Sequence, residues 1–371
     1  MTGKKQINSE KMRKTKFYHL HEKRGAKMVD FAGYRMPIQY TSIIEEHKAV
    51  RKSVGVFDVS HMGEVKIKGE KAFEFIQNIT VNDASKLTIG KIQYSAMCYP
   101  DGGIVDDLLV YKIADDEFML VINASNIDKD ITWMHKNNNF NVDILDESEE
   151  YSLLAVQGPK SKEVVQSICD KPLDLEYYTF FNVKYQNIEM LISRTGYTGE
   201  LGYEIYFKGN EEVAEKIWDA IFETGKEFNI QPIGLAARDT LRLEMGFCLY
   251  GNDIDHTTNT IEAGLGWITK INKGDFIGRD AIVSAKEKGT SRRLVPMIAD
   301  EKCFPRHGYN LTLNGDVIGK ITSGTVSPIL EKPIALGYVK QEFAIKGNKI
   351  FFSIRGKEFE ATIIELPFVK K

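Results

Sequence analysis

In the run GGIVDDLLVY, Gly102 to Tyr111, two adjacent aspartates follow a glycine pair at the head of a strand otherwise made of Leu, Val and Tyr. Successive strand residues point to opposite faces, so Asp106 and Asp107 cannot share one site. One faces inward and the other faces solvent or a turn. An inward carboxylate among apolar residues needs a partner, because an unpaired buried charge is costly. On this segment alone two readings stay open: the pair finishes a Pro-Asp-Gly-Gly hairpin turn, or it holds an ionisable group kept for use.

The chain has 371 residues, more than one hydrophobic core usually serves, so two or three domains are expected. Hydrophobic residues at 43% and charged residues at 27% describe a globular protein and exclude disordered and fibrous classes. A net charge of -3 provides no global attraction for nucleic acid or an anionic membrane, so neither is expected as a partner. Cys98, Cys169, Cys248 and Cys303 lie far apart with no CxxC pair and no His at ligand spacing, which signals neither zinc nor a disulfide framework. The basic stretch to Lys27 lacks the apolar core of a secretory signal, and no apolar run is long enough to span a bilayer. A cytoplasmic protein is expected, with residues 1–11 a disordered lead-in and Met12 an alternative start.

From Glu64, EVKIKG reads as a strand and EKAFEFIQNI as a short helix. QYSAMCY, IVDDLLVYKI and EFMLVINA then form an antiparallel meander joined by PDGG and ADDE. Ser125 with Asp128 three residues on signals a helix start, the helix IDKDITWMHK follows, and NVDIL closes the unit as a strand. The order β-α-β-β-β-α-β resembles a ferredoxin-like α+β unit with an extra strand. Phe17 to His61 and Tyr151 to Tyr250 carry mixed elements, the clearest being the helix NEEVAEKIWDAIFETG with an apolar stripe of Val213, Ile217, Trp218 and Ile221. After Asn252, short strands with Gly and Pro turns predict a separate all-β domain.

Two further segments carry candidate chemistry. In RTGYTGELGYE, Arg194 to Glu204, the spacing G-x-x-G-x-x-G matches neither a dinucleotide nor a P-loop fingerprint. It is either a structural Gly-rich hairpin or a loop that approaches a partner closely, with Tyr197 as a stacking face and Glu204 as an acceptor. In GLAARDTLRLEMGF, helical spacing puts Arg238 and Arg242 one turn apart on the side of Leu235 and Met245. Charges there want an anion, supplied by an internal carboxylate or by a ligand carboxylate gripped by guanidinium. GNDIDHTTNTIE lacks the glycine and glutamate that a calcium loop requires, and His61 and His256 lack any triad-like context and read as structural or supporting.

The strings KMVDFAGYRMPIQY, GVFDVSHMGE, GGIVDDLLVY, VQGP, RTGYTGELGYE, GLAARDTLRLEMGFCLYGNDID, EAGLGW and TSGTVSP, in this order from about Thr15 to Phe368, resemble the aminomethyltransferases, the T proteins of the glycine cleavage system. The resemblance implies an α+β, three-domain clover-leaf with tetrahydrofolate in a central hole. Its parts would be a discontinuous folate-binding domain, 12–63 with 151–251, a ferredoxin-like domain, 64–150, and a C-terminal β domain, 252–371. By resemblance Asp107 is the catalytic carboxylate facing the folate, and Asp106 points away. Met62, Tyr94, Asn123, Tyr197, Glu204, Arg238 and Trp267 match folate-lining positions. The family moves an aminomethyl group from the lipoyl arm of the H protein to tetrahydrofolate, releasing ammonia, and requires no metal or nucleotide. A desolvated carboxylate can remove the proton and stabilise the cation that develops during such a transfer.

There are departures: Tyr99-Pro100 stands where a more polar Asn-Glu-type turn is expected, and Leu201 replaces an acidic residue often found in the GYTGE loop. Two rival functions share the fold. A non-enzymatic module for iron-sulfur assembly or tRNA modification carries a Lys-Gly-Cys-Tyr-x-Gly-Gln motif, but here KGDFIGRD places Asp275 where the cysteine would be. A folate-dependent demethylase or sarcosine-oxidase-type domain uses another one-carbon donor; no flavin domain is present, and the aminomethyltransferase strings fit better.

Overall fold

The computed structural model describes residues 12–370, so the expected lead-in at 1–11 lies outside the described residues. The chain forms two compact units: Met1–Gly63 with Glu147–Gly196 and Glu200–Arg238, and Glu64–Asp146 with Tyr197–Gly199 and Asp239–Lys371. In the first, a six-stranded sheet runs in the order Phe180–Tyr185, Ile188–Ser193, Gly202–Lys208, Tyr151–Gln157, Gly55–Asp58, Gln231–Pro232. The helix Glu211–Gly225 starts where the Asn210 side chain accepts the Val213 N–H. Its Ile217, Trp218 and Ile221 are fully buried against Leu154, Val156, Ile192 and Ile205 of the sheet, while Val213 is partly buried at the edge of that core. Burial of each such side chain is worth about 1.5–3 kcal/mol. Gly196 and Gly202 are small for a reason, since a Cβ on either would lie 2.0 or 2.3 Å from the Gln157 side chain.

In the second unit a five-stranded sheet runs Ile92–Cys98, Ile104–Ala114, Glu117–Ile122, Gly63–Lys68, Asp143–Asp146, with helices Ala72–Ile79 and Ile127–Lys136 between strands in chain order. The expected β-α-β-β-β-α-β succession is present, with the meander paired antiparallel. One boundary differs: the second helix begins at Ile127 with Asn126 at its N-cap, and Ser125 is exposed in the one-turn 3-10 segment Ala124–Asn126. Asn126 makes no capping bond there because its side chain is spent on Asp106. The glycine pair before the aspartates is a steric requirement. Gly102 has φ +87°, and a Cβ on Gly103 would sit 2.0 Å from the His256 carbonyl oxygen.

The C-terminal strands close a six-stranded barrel: Arg292–Ala299, Pro333–Lys340, Asp316–Val326, Asn310–Leu313, Lys349–Ile354, Lys357–Ile363, and back to the first. Positive φ at Asn314 and Gly315, and at Arg355 and Gly356, makes the tight hairpin turns that join neighbouring strands. The β pattern starts later than expected: among the described residues, 252–291 holds turns and the helix Arg279–Lys288 but no strand. Ile254, Leu265, Ile268, Phe276 and Ile282 pack instead with Val81, Ala96, Cys98 and Ile104, so this stretch is anchored by irregularly spaced apolar side chains. No helix among the described residues is long and apolar enough to cross a membrane.

Arg242, on the helix Leu235–Met245, takes the internal partner. It is 1% exposed and donates to Asp253 Oδ2 at 2.6 Å, Asp239 Oδ1 at 2.8 Å, the Phe247 carbonyl at 2.8 Å and Ser323 Oγ at 2.8 Å. Asp253 is completed by the Leu249 N–H, Thr322 and Ser323. Breaking a buried pair leaves one charge uncompensated. Arg242→Met should therefore lower the unfolding free energy in urea by about 3–5 kcal/mol, and a loss no larger than that of an average surface substitution would show that the pair is not structural.

Candidate active site

The strand Ile104–Ala114 turns Asp106 inward, with no solvent exposure, and leaves Asp107 partly exposed on the opposite face. The inward carboxyl finds its partners at the start of the helix Ile127–Lys136: Asn123 N–H donates to Oδ2 at 2.9 Å, and Asn123 Nδ2 and Asn126 Nδ2 donate to Oδ1 at 2.8 and 2.6 Å. Asp107 is held on both oxygens, by the Tyr94 hydroxyl at 3.0 Å and by Asn123 Nδ2 at 2.9 Å. Tyr94 reaches it because Ala96 is the cross-strand partner of Asp107, which puts Tyr94 diagonally opposite on the same face. A single amide, Asn123, thus lies in hydrogen-bond range of both aspartates.

Burial first, and the neighbouring Asp106 second, push the Asp107 carboxyl up to about 7, against the pull of the Tyr94 and Asn123 hydrogen bonds. At neutral pH it is split between acid and carboxylate, which suits a group that both takes and returns protons. Burial holds the Tyr94 phenol well above its usual range, so it remains a donor. The rings of Tyr94 and Trp267 have centroids 6.0 Å apart at 32°, and Trp267 is 63% exposed, a large flat face offered to solvent beside a nearly buried carboxylate. Tyr197 stacks on Phe247 at 5.8 Å and 27°, and its hydroxyl donates to the Cys248 carbonyl.

The remaining candidates lie in the first unit. Glu204, on the strand Gly202–Lys208, is buried and accepts from Thr195 Oγ1 and, at 3.4 Å, from the Tyr206 hydroxyl. Burial raises its carboxyl, opposed by Thr195 and by the positive charge of Arg238. Arg238 also acts on His61, which is 2% exposed, meets the ring edge of Phe31 at 5.3 Å, and has Nδ1 without a hydrogen-bond partner. Burial and that charge hold the His61 imidazole down to about 4, so it is neutral at pH 7. Met62 follows, half-buried, in the turn after the strand Gly55–Asp58. His256 has an exposed side chain, and it is its backbone carbonyl that abuts Gly103.

The structure thus joins Tyr94, Asn123, Asp107 and Trp267 into one cluster, sets Tyr197 on its own aromatic shelf, and couples Glu204 electrostatically to Arg238. Asn126, Asp130 and Thr195 were not foreseen. The helix start and the Gly-rich turn were legible, but the partners of these side chains lie too far along the chain for local spacing to show. All four cysteines are unpaired thiols, and among the described residues no group of three or more His, Cys, Asp and Glu side chains is arranged to hold a metal ion.

Residues 17–273 match the model of the GCVT N-terminal domain, and 292–370 match that of the glycine cleavage T-protein C-terminal barrel domain. The aminomethyltransferase of Flavobacterium psychrophilum is 53% identical over 363 residues, covering 97% of this chain and 100% of that protein. That of Halothermothrix orenii is 47% identical over 359 residues, covering 96% and 100%. A crystal structure of the glycine cleavage system aminomethyltransferase T from Bartonella henselae superposes with a TM-score of 0.90 at 35% identity, covering 96% of this chain and 98% of that one.

Because the Tyr94 hydroxyl stabilises the charged form of Asp107, its removal must raise the Asp107 midpoint. Carbon-13 NMR of labelled aspartate carboxyls should show Asp107 titrating at about 7 in the native protein and at higher pH in Tyr94→Phe. A midpoint that stays put or falls would mean that this hydrogen bond does not tune the carboxyl.

Proposed function

The chain belongs to the glycine cleavage T-protein family, and from that membership and the Asp107 cluster we propose that tetrahydrofolate is its one-carbon acceptor and a lipoylated H protein its donor's carrier. It is an aminomethyltransferase of the glycine cleavage system, a transferase of one-carbon groups. The observation that carries the finer reading is Asp107, a carboxyl poised about 7, between a phenol donor and an amide donor and beside an exposed indole. Bacterial relatives of near-equal length support a cytoplasmic setting. The sheet of the second unit and the barrel that follows it are proposed as separate domains, as the resemblance implies.

The groups of the second unit suit a reduced pterin, with flat faces at Tyr94, Trp267 and Tyr197 and the Asn123 amide for its polar edge, and Glu204 is proposed as a folate contact from the resemblance alone. Met62 and Arg238 are proposed as further contacts, Arg238 toward an anionic group of the ligand. Tetrahydrofolate, when bound, supplies the nitrogen that accepts the carbon unit. Asp107 in its carboxylate form takes up the proton released there, and its negative charge stabilises positive charge developing on the transferred carbon. Tyr94 and Asn123 keep both oxygens of Asp107 oriented while this happens, which spares the reaction the cost of organising them.

The deciding assay mixes protein, tetrahydrofolate and aminomethyl-loaded H protein and follows ammonia. Folate-dependent release is expected; its absence would put the demethylase reading in front. Asp107→Asn should cut the rate by about a hundredfold to ten-thousandfold in a folded protein, and below about pH 7 the native rate should fall as Asp107 protonates. Asp106→Asn should do far less, so the reverse ranking would refute the assignment of Asp107. In calorimetry Arg238→Ala should weaken tetrahydrofolate by about tenfold or more with little change in thermal stability, whereas an equal loss of stability would assign Arg238 to an internal pair.

A further inference from the structure

The segment KGDFIGRD, Lys273 to Asp280, is fastened to the second unit along most of its length. Gly278 has φ +88°, and a Cβ there would lie 2.7 Å from the Tyr99 carbonyl oxygen and 3.0 Å from Cys98 Cβ, so the chain passes the end of the strand Ile92–Cys98 with no room for a side chain. Phe276 is buried with Val81 and Ala96, and the Ile277 N–H donates to the Asn78 carbonyl at 2.9 Å. At the other end Lys273 Nζ donates to the Gln77 and Thr80 carbonyls, each at 2.5 Å, and to the Asn82 carbonyl at 2.9 Å. These oxygens lie where the helix Ala72–Ile79 runs out, and three acceptors match the three N–H groups of an ammonium. An uncharged amine has only two to give. The full set of bonds therefore belongs to the charged form, although burial pushes this lysine down to about 7 against the pull of Asp83.

Just ahead of Lys273 the same loop carries Trp267, 63% exposed, with its ring centroid 6.0 Å from that of Tyr94. Leu265 and Ile268 are buried on either side of it, but apolar contact is non-directional and does not set the angle of the loop. Two directional routes lead from the loop to the strand of Tyr94, both through the residues that follow the helix Ala72–Ile79. In one, the Lys270 N–H donates to the Val81 carbonyl and the Val81 N–H to the Ala96 carbonyl, each at 2.9 Å. In the other, Lys273 grips the Asn82 carbonyl, while Asn82 Nδ2 donates to the Tyr94 carbonyl at 2.9 Å and the Asn82 N–H to Ser95 Oγ at 3.1 Å. Hydrogen bonds from a charged donor are roughly twice as strong as neutral ones, so the lysine carries the larger part of the attachment.

We propose that Lys273 is a positioning residue for the reduced-pterin site: through Asn82 it fixes the loop of Trp267 against the strand of Tyr94, so that the two flat faces are in place before the ligand arrives. The inference rests on the proposed seating of the pterin at Tyr94 and Trp267. Without the ammonium the helix-end carbonyls lose their shared donor, the loop keeps its apolar contacts and the Lys270 link, and binding has to order the indole at a cost in affinity. The Asp107 carboxyl, held by Tyr94 and Asn123, makes no bond to this lysine and keeps its partners.

The test uses the full chain labelled with fluorotryptophan and read by fluorine-19 NMR. Its 3 tryptophans give separate signals, and that of Trp267 is identified by its loss in Trp267→Phe. In Lys273→Met the Trp267 signal should move and broaden, while those of the buried Trp133 and Trp218 stay in place. In the ammonia assay the KM for tetrahydrofolate should rise by about three- to tenfold with kcat near the native value. In a Trp267→Ala background the same lysine change should raise KM no further, because no indole is left to place. A lysine that only stabilised the fold would lower the melting temperature and leave the Trp267 signal and KM where they were. That result, or an equal rise of KM in both backgrounds, overturns the proposal. Should Lys273→Met not fold, Lys273→Arg takes its place with the same expectations, since a planar guanidinium cannot meet three carbonyls converging on one nitrogen. If the native protein binds no tetrahydrofolate in calorimetry while the Trp267 signal responds as described, it is the seating of the pterin that fails and not the hold of Lys273 on the loop.

Discussion

Adjacent residues of a strand cannot face the same way, and the candidate site of the second unit is built on that constraint. Asp106 must enter the sheet's interior for Asp107 to emerge on the other face, so the structure has to accommodate one carboxyl in order to present the other. It does so with amides from the start of the next helix. The glycine pair ahead of the aspartates belongs to the same requirement. The strand enters against the His256 carbonyl, where no side chain fits at Gly103.

Buried charged side chains also help to fasten two irregular segments. Arg242 and Asp253 pair among hydroxyls and backbone groups of the segment after the helix and of the barrel strand Asp316–Val326. Lys273, pushed down to about 7 by burial, donates to the carbonyls of Gln77, Thr80 and Asn82 at the end of the helix Ala72–Ile79, where unsatisfied carbonyls favour a cation. Both fasten segments with no strand ladder of their own. The second holds down the stretch that carries Trp267, so an exposed indole is displayed from a fixed loop.

The sequence by itself determined the elements whose side-chain period matches their geometry: the meander, the stripe on Glu211–Gly225, the opposite facing of Asp106 and Asp107, and, through its long ordered strings, the family. Period and turn chemistry are local, so they can be read locally. Tertiary structure decided what depends on residues distant in the chain. Ser125 looked like a helix cap, yet Asn126 holds that place and spends its side chain on Asp106, twenty positions back. The stretch from Asn252 looked like strands and is anchored instead by scattered apolar contacts. Arg242 could have served a ligand until Asp253 proved to be its partner. The proton state of Asp107 was likewise out of reach of the sequence, because it is set by the burial of the carboxyl and by what stands beside it, Asp106, Tyr94 and Asn123, and desolvation and hydrogen bonding exist only once the chain has folded around the group.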